Sequence, residues 1–130
     1  SDHMIYSPDV CVFRDENCRL LEKPFTVSVI TAPAPNRRGT AVLASEKNIS
    51  EVFLRRIEIL CKIAVYHGCR NLILGAWGCG AFGNDPVKVA EYFRTILIDK
   101  EYARCFDNIC FAIYGSTESK NYTAFRNAFL

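Results

Sequence analysis

The stretch of this chain best suited to chemistry is Gly75-Ala76-Trp77-Gly78-Cys79-Gly80-Ala81-Phe82-Gly83-Asn84-Asp85-Pro86. Glycines let main-chain N–H groups approach an anion closely, and a helix starting just after them adds partial positive charge. The chemistry on offer is phosphate binding. Cys79 raises a second option, because a cysteine between a strand and a helix can be an activated thiolate. That option needs a base and small flanking residues. Trp77 stands two positions away, and His67 lies at the far end of an earlier helix. Cys79 is therefore read as a small residue whose backbone matters.

Gly78 to Gly83 formally matches Gly-x-Gly-x-x-Gly, the dinucleotide fingerprint. Its position argues against that reading. The fingerprint should open the first strand–helix unit, and the helix should begin inside it. Here Asp85-Pro86 places the helix start afterwards, and no acid ends the next strand at Tyr114-Gly115-Ser116. A Walker A loop is excluded because no Gly-Lys-Ser/Thr follows. Phe82, held among glycines, suits covering a sugar or base.

The elements that must position this loop are legible around it. Asn71 to Leu74 reads as the strand before it. Asp85 as N-cap and Pro86 as first residue open a helix with Val89, Ala90, Phe93, Ile96 and Leu97 on one face. Upstream, Val10, Val12 and Phe13 suit a short edge strand, and Phe25 to Thr31 a second strand. Ala32-Pro33-Ala34-Pro35-Asn36 stops it. Asn48-Ile49-Ser50-Glu51 resembles a capping box, followed by Phe53, Ile57, Leu60, Cys61 and Ala64 at helical spacing and a stop at Gly68. Ile109 to Gly115 suits a strand buried on both faces, and Tyr122 to Phe129 a terminal helix. Such alternation implies an α/β layer sandwich with a largely parallel sheet. Ligands then bind at strand carboxyl ends, where Ala32–Asn36, Gly75–Asp85 and Tyr114–Glu118 converge.

The 130 residues suit one domain, 50% hydrophobic and 23% charged, as in a folded globular protein. Ser1-Asp2-His3 before Met4 reads as a vector remnant, leaving 4–130 as the domain. Without Asp2 the net charge of +2 becomes +3, a weak basic excess compatible with an anionic ligand. The seven cysteines are odd in number and lack Cys-x-x-Cys spacing, which favours buried free thiols over disulfides. A lone His67 disfavours zinc. No apolar run spans a bilayer and no signal peptide is visible, so an intracellular, cytoplasmic or nuclear protein is expected.

Leu74 to Pro86 resembles the second signature of the microbial-type poly(ADP-ribose) glycohydrolase family, a branch of the macrodomains. Tyr6-Ser7-Pro8-Asp9-Val10 with Val12-Phe13-Arg14-Asp15, Val29 to Asn36, and Phe111 to Tyr114 are similar to other blocks of that family. The resemblance implies an abbreviated three-layer α/β/α macrodomain with a mostly parallel or mixed sheet. It implies ADP-ribose as ligand, with no separate cofactor or metal. Gly78, Cys79, Gly80, Ala81, Phe82 and Gly83 would wrap the diphosphate. Phe82 would pack near a ribose, and Asn84 would brace the loop or reach a ribose. Tyr114 would stack on adenine or pack on the final helix. Asn36 would contact ligand or cap a turn.

One departure separates binding from cleavage. Family hydrolases carry an earlier glycine-rich segment with Gln-Glu-Glu, whereas this chain opens at the Tyr-Ser-Pro-Asp block. Its adjacent acids, Asp15-Glu16, lie in an expected exposed turn. The convergent loops offer only Asp85, an N-cap, and Glu118, while glycosidic cleavage needs placed carboxylates. The catalytic residues are unknown. The expectation is a module that recognises free or protein-linked ADP-ribose, without direct nucleic-acid or membrane contact. The alternatives are an ADP-ribosyl glycohydrolase or a fragment of one, and a degenerate protein-interaction fold. An exposed sheet edge would leave room for a dimer.

Overall fold

The structure is a computed structural model and describes residues 2–38 and 45–130. It is a mixed α/β arrangement in two compact units, residues up to Pro33 and Ala34–Leu130. The first unit is an antiparallel hairpin of β1 (Ile5–Arg14) and β2 (Leu20–Thr31). Both strands are longer than the β-branched runs suggest. Pro8 interrupts the β-pattern of β1 and is accommodated at a slip in register between Ser7 and Val10, where Asp9 has φ +53°. The turn expected at Asp15 is present. The Asp15 carboxylate accepts N–H bonds from Asn17 and Arg19, each at 2.9 Å. The Arg19 N–H is the main cause holding its pKa below the ordinary value. Asp15 thus serves the turn.

The second unit runs α1 (Glu46–Tyr66), β3 (Asn71–Leu74), α2 (Pro86–Arg94), a π-turn (Thr95–Asp99), a 3-10 turn (Tyr102–Cys105), β4 (Asn108–Phe111) and α3 (Lys120–Phe129). β3 and β4 form their own two-stranded parallel sheet in the register Asn71 with Asn108 to Leu74 with Phe111. Helix α1 begins three residues earlier than its capping signal suggests. Ser45, extended at ψ 154°, is the N-cap and accepts the Asn48 N–H. Asn48 therefore lies inside the helix as a donor to the cap. His67 is the C-cap, and Gly68 follows at φ +69°, the left-handed conformation expected of a glycine stop. Asp85 caps α2 with Pro86 as its first residue, as its sequence predicts.

The core lies where the three helices meet one face of the β3–β4 pair. Ile49, Phe53, Ile57 and Cys61 of α1 meet Val89, Ala90 and Phe93 of α2 and Phe125 of α3, with Leu74, Ile109 and Phe111 packed against them. The expectation that the last strand is buried on both faces is corrected. In β3 and β4 the burial alternates, and Ile73 is 77% exposed. An unbroken apolar run does not reveal whether one or both faces are covered; here helices cover one. The thiols follow the same rule. All seven are free, but Cys11, Cys18, Cys105 and Cys110 are exposed and only Cys61 is fully buried. Cys110 sits on the outward face of β4. Among the described residues, no helix is long and apolar enough to cross a membrane.

Candidate functional site

The loop from Gly75 to Asp85 is shaped from beneath by aromatic rings. Phe53 of α1 is fully buried, stands edge-on to Trp77 with centroids 5.7 Å apart, and stacks on Tyr92 at 5.3 Å. Gly78 rests on this floor at φ +76°. A Cβ there would lie 2.7 Å from Asn84 Nδ2 and 2.9 Å from Ala34 Cβ. Gly83 also has a left-handed backbone, φ +70°, and the Arg38 side chain crosses it. Gly80 is different. A Cβ there would meet nothing within 4 Å, and its φ is ordinary. Neither chain conformation nor packing within the described protein requires a glycine at this position.

Asn84 is the brace of the loop. It is 4% exposed and donates from Nδ2 to the carbonyls of Pro35 at 2.7 Å and Gly78 at 2.9 Å. The first bond stitches the proline-rich segment to the glycine loop. Arg37 N–H adds a second stitch to the Phe82 carbonyl at 3.0 Å. Two of the three loops expected to converge therefore do so. Asn36 Oδ1 accepts the Arg38 N–H at 2.9 Å, so its oxygen caps a turn. Tyr114 lies three residues beyond the end of β4 and is fully exposed. Among the described residues, no hydrogen bond or ring contact ties it to the glycine loop. Ahead of the third loop, a Cβ on Gly75 would lie 3.4 Å from the Ala112 carbonyl.

N–H groups along the loop differ in use. Trp77, Cys79, Gly83 and Asn84 donate to carbonyls of Gly75, Ala76, Gly80 and Gly78, respectively. Their donors are spent on folding the loop. The N–H groups of Gly80, Ala81 and Phe82 have no partner among the described residues, and all three residues are exposed. Three consecutive free donors at a loop tip form a concavity suited to an anion. Phe82, 38% exposed, carries its ring at the same tip. This division between structural and available donors depends on the folded turn and has no sequence signal beyond the glycines.

Cys79 is an unactivated thiol. Burial, with the Asp85 charge as a lesser cause, pushes its pKa up to about 11, so it stays protonated at neutral pH. Asp85 accepts the Val87 N–H at 3.0 Å as the cap of α2, and Glu118 is exposed on its loop.

Charge around the site is organised by Glu46, a residue that the motifs do not single out. Its carboxylate takes Arg37 at 2.7 Å and Lys88 at 2.9 Å, joining the proline-rich segment, α1 and α2. The Arg37 hydrogen bond is the largest cause lowering the Glu46 pKa from 4.5 to about 2, and Lys88 is the next. A depressed folded pKa stabilises the protein fully above the unfolded value and progressively less as pH falls toward the folded one. Glu46→Gln should therefore lower the melting temperature at pH 7. Its deficit against the wild type should shrink between about pH 4.5 and 2. Thermal melts of both proteins across that window would refute the linkage if the gap stayed constant.

Solved structures similar to this chain include poly(ADP-ribose) glycohydrolases of Thermomonospora curvata and Deinococcus radiodurans. Poly(ADP-ribose) glycohydrolase from Thermomonospora curvata matches 99% of the chain at 45% identity with a TM-score of 0.92; the match spans 48% of that protein. The Deinococcus radiodurans enzyme in complex with ADP-ribose matches 98% at 36% identity with a TM-score of 0.90, over 52% of its length. A Thermomonospora curvata structure bound to the inhibitor ADP-HPD matches at 45% identity over 99% of this chain and 49% of that protein, with a TM-score of 0.92. The chain thus spans about half the length of the structures it matches. No family model and no curated protein matches it. The resemblance to the macrodomain of microbial-type poly(ADP-ribose) glycohydrolases, and the mixed α/β fold it implies, are borne out over nearly the whole chain.

Proposed function

We propose that this macrodomain-like chain binds ADP-ribose, free or attached to protein, through the tip of its glycine loop. The observation that carries the reading is the run of free N–H groups at Gly80, Ala81 and Phe82. A diphosphate supplies the acceptors such a run lacks. Gly80 keeps the approach open, and Phe82 is positioned to cover a ribose. Asn84 serves by bracing the loop rather than by reaching the ligand, because it is buried beneath it. The exposed Tyr114 ring is the remaining candidate for adenine, by stacking. Titrating ADP-ribose by calorimetry should give saturable heat, and the absence of heat at millimolar ligand would sink the proposal.

Gly80→Glu separates this role from folding. A Cβ at Gly80 meets nothing within 4 Å and the backbone is not left-handed, so the melting temperature should hardly change. Its carboxylate would occupy the space beside the free N–H groups, and affinity for ADP-ribose should fall about tenfold or more. A folded variant that binds like the wild type would remove the loop tip from the site.

The likeness to glycohydrolases favours a second reading, cleavage of ADP-ribosyl linkages. Leaving-group protonation or a directed water requires a placed carboxylate. Near the loop, Asp85 is engaged as a helix cap and Glu46 is ion-paired to two cations. Binding without turnover is therefore the expectation for these 130 residues. Incubation with ADP-ribosylated protein tests it, and release of ADP-ribose would overturn it.

A further inference from the structure

We infer that Arg38 is a charge-bearing specificity residue of the glycine-loop site, selecting for the anionic part of the ligand. The inference rests on the ADP-ribose reading above. Arg37 and Arg38 are adjacent in sequence and opposite in use. Arg37 is committed to Glu46, which also holds Lys88. Asp85, the other carboxylate acting on Arg37, is the cap of α2. The charges of Arg37, Lys88, Glu46 and Asp85 cancel. Arg38 has no acidic partner among the described residues and is exposed. It therefore leaves one uncompensated positive charge at the loop.

Its position is held by backbone. The Arg38 N–H is fixed to Asn36 Oδ1 at 2.9 Å, and the neighbouring Arg37 N–H to the Phe82 carbonyl at 3.0 Å. The Arg38 side chain then runs across Gly83. A Cβ on Gly83 would sit 3.0 Å from Arg38 Nε and 3.3 Å from its Cγ, so glycine at this position clears a track for the arginine. The stem thus lies against the residue next to Gly80, Ala81 and Phe82. Free N–H groups and a planar guanidinium with several donors are complementary ways to hold a diphosphate. The N–H groups supply close contacts, and Arg38 supplies a full charge whose effect is salt-sensitive because it is exposed.

The test measures ADP-ribose affinity of the wild type, Arg38→Gln and Arg38→Lys at low salt and near physiological ionic strength, with melting temperatures alongside. Arg38→Gln should lose about five- to tenfold in affinity at low salt and bind with a flatter salt dependence, at an unchanged melting temperature. Arg38→Lys should recover part of the affinity and the salt slope, because it restores the charge. If the wild type binds and Arg38→Gln binds equally well with the same slope, the inference fails while the ADP-ribose reading stands. If Arg38→Lys is as weak as Arg38→Gln, its charge is not what holds the ligand, and if the melting temperature falls with affinity, Arg38 is a scaffold residue; either result overturns the inference. No binding by the wild type removes both readings.

Discussion

Phe53→Ala should cost about 3–5 kcal/mol of folding stability, the usual range for emptying a buried aromatic site. Phe53 has no solvent exposure, and three structural features depend on it. It anchors α1 in the core, stacks on Tyr92 of α2, and makes a T-shaped contact with Trp77 in the glycine loop. A Cβ at Gly78 would lie only 3.7 Å from Phe53 Cζ, so the ring is also the loop's floor. Removing it loses apolar burial and leaves a void that rigid helices on either side can only partly close. Phe53→Leu should cost less, because it keeps much of the volume. Urea denaturation measures both. A loss below about 1 kcal/mol for the alanine variant would mean that the core collapses around the site. If the variant stays folded, affinity for ADP-ribose should also fall, since the loop tip would lose its support.

Gly78→Ala should cost about 2–5 kcal/mol, through two independent effects. A left-handed backbone at φ +76° disfavours any Cβ by about 1–2 kcal/mol. The added methyl also collides with Asn84 Nδ2 and Ala34 Cβ, at 2.7 and 2.9 Å, and overpacking of this kind costs about 1–3 kcal/mol. Asn84 Nδ2 is the end of a side chain, but it cannot step aside cheaply. Its two donated bonds to Pro35 and Gly78 carbonyls would be strained, and buried acceptors left unpaired are costly. Gly80→Ala is the matched control, two positions away in the same loop. It has ordinary φ and open space, so its stability should match the wild type within about 0.5 kcal/mol. Equal losses in the two alanine variants would show that the loop does not distinguish its glycines.

That contrast bears on what could be read from the letters. Three glycines in Gly78-x-Gly80-x-x-Gly83 look equivalent in sequence. In the fold, Gly78 answers to packing and backbone conformation, Gly83 to backbone conformation and the passage of Arg38, and Gly80 to nothing in the described protein. Of the three, only Gly80 is left without a structural requirement, which is what the proposed ligand role uses. Asn84 shows the same gap. Its place in the motif suits either a brace or a ribose contact, and burial beneath the loop favours the brace.

Local signals did well where the controlling physics is local. Asp85-Pro86 opens α2, Gly68 follows α1, and Asn71 to Leu74 is a strand, because capping, left-handed backbone and β-propensity act within a few residues. Ser45 rather than Asn48 caps α1, and the helix runs back through Asn48 with Ile49 and Phe53 in the core. The run Ile109 to Gly115 departs from the expected two-sided burial for a different reason. Alternation is invisible in an all-apolar run, so the exposure of Cys110 and Tyr114 depends on what covers each face.

By itself the sequence determined the order of elements, the glycine loop between β3 and α2, and the family resemblance, because each is written in contiguous residues. Tertiary structure decided which loop donors remain free, that Cys79 is a half-buried, protonated thiol, and that Glu46 rather than a motif residue ties Arg37 to Lys88. Those outcomes depend on distances between residues far apart in the chain, and on which polar groups folding has already satisfied.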